Sequence, residues 1–147
     1  MTIKEIEQYL KELKFDDILT ECQPMFLRID EVGKRLRNRI LDTRAEVDET
    51  LQELCGIYTF LNPILAVIDA EKINVEDRYY NMKRMEHESK NEKITSTTLE
   101  KEASAFVSQH RRIRNLLESY VDVCKINIGG CQSLLKSYTD EKGTTIR

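Results

Sequence analysis

"TTLEKEASAFVSQHRRIRNLLESYVDVCKINIGGCQSLLKSY", residues 97–138, decides the fold class. Apolar or small residues return at steps of three and four: Leu99, Ala103, Phe106, His110, Ile113, Leu117, Tyr120, Cys124, Cys131, Leu134 and Tyr138, with Asn127 in the remaining slot. That spacing follows the turn of an α-helix. Thr97 and Glu100 form a capping box at its start. Forty helical residues would run about 60 Å, too far to be covered by one small domain. The stripe Leu99, Phe106, Ile113, Leu117, Tyr120, Cys124, Asn127 and Leu134 is therefore expected to be an oligomerisation seam, with Asn127 setting register. Gly129-Gly130 should cost about 2 kcal/mol against alanines, so they mark close packing, a kink or a hinge.

The rest of the chain reads as helix too. Residues 1–24 form a short N-terminal segment in which Thr2 and Glu5 make a capping box ahead of the stripe Ile3, Ile6, Leu10 and Leu13. Pro24 should stop it. Residues 25–92 hold the central helices. Their apolar pattern runs from Phe26 to Leu61, and Asn62-Pro63 marks either a new start or a kink. Asn74 can cap a further helix over roughly 75–92. Residues 139–147 lack periodicity and read as a flexible tail. The expected fold is one all-α domain spanning residues 1–147, a helical hairpin or bundle with a long, coiled-coil-like C-terminal helix, and oligomeric.

Composition sets the class of partner. The chain has 147 residues, net charge −3 and a pI near 5.5, which opposes non-specific coating of nucleic acid but leaves room for a local basic face. "MTIKEIEQYL" has no apolar export core, and no apolar run approaches the roughly 20 residues of a membrane span. A cytoplasmic protein with no membrane partner is expected. Cys22, Cys55, Cys124 and Cys131 then read as reduced, buried thiols.

Catalytic patterns are missing: no glycine-rich phosphate loop, no CxxC and no HExxH. Neither a metal nor a cofactor is implied, and an enzyme is not expected. His110, Cys124 and Cys131 share a stripe, but a zinc site would need the thiols turned outward and a fourth ligand.

Three basic clusters remain: Lys34, Arg35, Arg37 and Arg39; Arg78, Lys83 and Arg84; and Arg111, Arg112 and Arg114. Only the middle one, "DRYYNMKRM" at 77–85, adds aromatic faces, through Tyr79 and Tyr80. Cations bind phosphates and rings stack on unpaired bases, so all these residues are candidates for contacting single-stranded DNA. On a helix, positions 80, 83, 84 and 87 share a face and 79 points about 100° away from 80. Tyr80 is thus the expected stacking residue, and Tyr79 packs inward.

Residues 75–138 resemble small phage proteins of the UvsY type, recombination mediators, in the order of their parts. An aromatic-basic helix precedes a K-x-T linker (Lys93 to Thr95) and an L-E-x-E start (Leu99-Glu100-Lys101-Glu102), and a long helix ends in Q-S-x-L-K (Gln132, Ser133, Leu135, Lys136). The resemblance implies a ring-forming homo-oligomer that binds single-stranded DNA. It also implies partners: a RecA-like recombinase, loaded onto strands covered by single-strand-binding protein, in the bacterial host cytoplasm. The first 60 residues show no such likeness. The alternative from a different class is a helical scaffold or adaptor that acts only through coiled-coil contacts.

Overall fold

The computed structural model describes residues 1–41 and 43–145, with side chains described as far as Thr139. Five helices follow one another, α1 (Ile3–Lys11), α2 (Phe15–Arg37), α3 (Arg44–Ser89), α4 (Ser96–Phe106) and α5 (Ser108–Thr145), and no strand occurs among the described residues. The fold is all-α. The chain divides into two compact units, one of Met1–Leu19 with Ile64–Leu116 and one of Thr20–Pro63 with Leu117–Arg147. Each unit thus combines stretches far apart in sequence.

Local chemistry sets the helix ends. The Thr2–Glu5 capping box is formed, with the Glu5 amide donating to Thr2 Oγ1 at 3.3 Å. At the other end of α1, Leu13 takes the left-handed conformation (φ 57°), and the Lys14 amide donates back to the Tyr9 carbonyl at 2.8 Å. The same closure ends α2 at Arg39 (φ 55°, Ile40 to Arg35 at 3.0 Å) and α3 at Asn91 (φ 53°, Glu92 to His87 at 3.0 Å). These are Schellman caps built without glycine.

Neither proline ends a helix. Pro24 lies inside α2 and Pro63 inside α3, so the expected stop at Pro24 and start at Asn74 are corrected to two continuous helices. Of the two readings of Asn62-Pro63, the new start is the one that drops out. Each proline costs about 3 kcal/mol in a helix interior. Around Pro63, Leu54, Leu61, Ile64 and Ile68 are at most 2% exposed, and burying each such side chain contributes about 1.5–3 kcal/mol. The stripe outweighs the lost hydrogen bond. Both prolines face solvent, where water can reach the carbonyl deprived of its partner.

The C-terminal stretch departs the other way. One helix over 97–138 was expected; α4 and α5 instead meet at Val107, and α4 is capped by Thr95, whose side chain accepts from the Thr98 amide, not by Thr97. The reason is phase. Leu99, Ala103 and Val107 are the buried residues of this stretch, and each step of four overshoots a full turn by about 40°. The joint restores the phase that brings His110 and Ile113 to the core. Arg111 holds it by donating to the Ser104 carbonyl and hydroxyl. Helix α5 continues to Thr145 through most of the expected tail; residues 146–147 lie outside the described residues.

In the second unit, Asn127 is buried and its side-chain amide donates to the Ile29 carbonyl at 3.2 Å. Gly33 lies beside that amide. Arg28 clamps α2 to α3 through Glu53 at 2.7 and 2.8 Å, which, ahead of its contact with Glu31, raises the guanidinium pKa. Helix α3 also contains an 18-residue window of mean hydropathy 1.4, the single helix among those described that is long and apolar enough to cross a membrane. The expectation of no such run is corrected.

Two stability measurements follow. Leu117 has no exposed surface, so Leu117→Ala should cost about 2–5 kcal/mol in urea unfolding. Gly129 sits in an unbroken helix with nothing within 4 Å of where a Cβ would lie, so Gly129→Ala should raise stability by about 1 kcal/mol. A hinge at Gly129 would instead make that substitution neutral or harmful.

Candidate nucleic-acid interface

The motif at 77–85 lies on the last turns of α3. Its cations are neutralised within the chain. Arg78 reaches Glu71 at 3.1 Å, Lys83 reaches Glu86 at 3.2 Å, and Arg84 lies 3.9 Å from Glu88. Tyr79 stacks on Phe106 with centroids 4.3 Å apart at 17°, and Lys83 Nζ sits 5.7 Å from the Tyr79 ring centre. Tyr79 therefore packs inward, as its helical phase implies. Tyr80 lines a groove of about 480 Å³ with Arg84, His87 and Lys93, joined by Glu88 and Glu92. His87 Nδ1 and Glu92 Oε2 are 2.7 Å apart. Lys83 does not line this groove, because its contacts with Tyr79 and Glu86 turn it to the neighbouring face. The expected face of 80, 83, 84 and 87 thus loses one member.

The third basic cluster is structural in two of its three members. Arg111 joins α4 to α5 through Ser104, and Arg114 donates to Asp69 at 2.8 Å. Arg112 is exposed on α5.

The first cluster stands apart. Lys34, Arg37 and Arg39 are exposed and Arg35 is half-buried at the end of α2. Arg44 and Lys136 line an open groove of about 590 Å³ in the same unit, with Asp48 its single acidic wall residue among those described. Among the described residues, none of these six cations has an acidic side chain within ion-pair distance, unlike those of 77–85. Tyr138, half-buried on α5, donates its hydroxyl to the Leu41 carbonyl at 3.4 Å beside this cluster. Composition gave no warning that these cations, and not the tyrosine-flanked ones, would lack partners. No local signal marks them: Asp42, Asp48 and Asp140 stand three or four residues after Arg39, Arg44 and Lys136, as glutamates do in the middle cluster.

The expected oligomerisation seam is buried inside its own chain. Leu99, Ile113, Leu117, Cys124 and Asn127 are at most 5% exposed. Tyr120 stacks on Phe26 at 4.1 Å and donates to Asp30 at 3.0 Å, while Leu134 is half-buried. Phe106, the one large exposed member at 57%, rests on Tyr79. The buried positions of α5 run 110, 113, 117, 121, 124, 127 and 131, steps of three and four that take in Val121 and leave Tyr120 half-buried beside them.

All four cysteines are free, and Cys55 is exposed rather than buried. Burial raises the Cys22 and Cys124 thiols to about 11 and lifts Cys131 as well. Cys124 donates to the Leu54 carbonyl at 3.4 Å. No group of three or more His, Cys, Asp or Glu among the described residues is arranged to hold a metal ion.

Comparison of the chain with family models, curated proteins and solved structures gives no match.

The two tyrosines should separate cleanly. Tyr79→Ala removes a stacked pair worth about 0.5–1.5 kcal/mol beyond its buried area and should lower the melting temperature. Tyr80→Ala should leave it nearly unchanged. Equal losses would show that Tyr80 is also part of the packing.

Proposed function

We propose that this chain is a non-enzymatic protein that binds single-stranded DNA, working in the cytoplasm as a recombination mediator. The observation that carries the reading is the run Lys34, Arg35, Arg37 and Arg39, extended by Arg44 and Lys136, without acidic partners among the described residues of a chain of net charge −3. An unpaired cation releases a condensed counterion when it meets a phosphate. A cation already held by Glu gains much less, because it must first give up its partner. Affinity is thus concentrated on this end of the second unit. Tyr80 with Arg84 and Lys93 offers a separate place for a base to stack.

The resemblance of residues 75–138 to UvsY-type mediators supports the recombination role. By that resemblance the chain forms a homo-oligomeric ring and loads a RecA-like recombinase onto strands coated by single-strand-binding protein. Repetition of a weak site around a ring raises the effective concentration of each further contact, which suits an acidic protomer.

The adaptor reading keeps one observation of its own: every cation of 77–85 is paired and Tyr79 is stacked inside the chain.

Binding of a labelled oligothymidine across a salt series tests both. Changing Arg35, Arg37 and Arg39 together to Gln should flatten the plot of log affinity against log salt by about 2, at roughly 0.7 per phosphate contact. Binding that is absent, or indifferent to salt, leaves the adaptor.

A further inference from the structure

The first unit contains a groove of about 320 Å³ that neither DNA reading uses. Leu10 and Leu13 from the end of α1 and Phe15 from the start of α2 form one side. Val75 of α3 and Phe106 of α4 form the other, with His110 of α5 also in the wall. Leu13 and Phe106 are 64% and 57% exposed. These are large apolar side chains left open to water beside a concave, mostly apolar surface.

His110 closes the groove on the inner side. It is only 4% exposed, and its Nδ1 has no hydrogen-bond partner. Burial lowers its pKa, against a smaller opposing effect of Glu71, so the ring is held neutral. The Phe15 ring meets it edge-on at 4.9 Å. A buried imidazole without a partner is a loss that folding leaves uncompensated, and it lies in the wall of the groove. Its Nδ1 is sealed from solvent, so His110 forms part of the groove's inner wall and offers no hydrogen bond to an occupant.

The rim states the charge of that occupant. Lys11 has no acidic partner, while Arg78 shares Glu71. The lining therefore carries one net positive charge.

We propose that this groove binds a small apolar monocarboxylate, its hydrocarbon body between Leu13, Phe15 and Phe106 and its carboxylate at Lys11 and Arg78. The volume suits roughly ten to fifteen non-hydrogen atoms. Phe106 is a stable wall because Tyr79 backs it. This site stands independently of DNA binding and survives its failure.

Decanoate, below its micellar concentration, is the probe, titrated calorimetrically into the whole protein. One site per chain is expected. Lys11→Gln should weaken it about tenfold, the scale of one lost charge contact. Leu13→Gly is the decisive variant, because glycine suits the left-handed backbone at this position (φ 57°). The fold should be kept or stabilised while binding falls. Decyltrimethylammonium, of like body and opposite charge, should bind far more weakly. The proposal is overturned by no saturable decanoate binding, by equal binding of the cationic analogue, or by undiminished binding in Leu13→Gly. A particle mass that rises with concentration in the wild type and not in Leu13→Gly, without decanoate binding, would assign the groove to a second copy instead and equally overturn it.

Discussion

A helix of 46 residues, about 70 Å at 1.5 Å per residue, needs a buried apolar stripe to hold together in water. Helix α3 carries that stripe from Val47 to Ile68, with no buried side chain over 69–89, and the need to cover it organises the rest of the chain. Val47, Leu54 and Leu61 serve one unit, and Ile64 and Ile68 serve the other. The same stripe explains why Pro63 does not break the helix. A proline on the solvent side removes one hydrogen bond, whereas breaking there would expose several isoleucines and leucines.

Burial also disposes of the polar groups that sequence reading would assign to function. Asn127 is satisfied by the Ile29 carbonyl, with Gly33 packed beside its amide. Tyr120 is satisfied by Asp30, and its pKa is raised by burial first and by that contact second. These residues fasten the second unit from within. His110 is the exception in the first unit, where its Nδ1 is buried without a partner among the described residues.

Electrostatics in this chain is decided by neighbours more than by totals. The cations at 78, 83 and 84 each find a glutamate on their own helix, three, four or seven residues away. Exposed pairs of this kind contribute little to stability, but they occupy the charges. The acids one turn before the cations of α2 are engaged elsewhere, Glu31 by Arg28 and Asp30 by Tyr120. The function proposed here follows from that difference.

Periodicity by itself determined the all-α class, the Thr2–Glu5 cap, and the inward phase of Tyr79, because each depends on residues within one or two turns of each other. Tertiary structure alone decided the rest. Whether Pro24 and Pro63 end a helix depends on how much apolar surface lies beyond them. Whether Leu117 and Cys124 meet a second copy or their own chain depends on where α2 and α3 fold back, and a stripe does not name its partner. The joint at Val107 arises because successive steps of four drift off the core, a defect that becomes visible only once the core has a fixed direction. Which basic cluster remains free depends on side chains finding partners in three dimensions, where composition counts every charge alike.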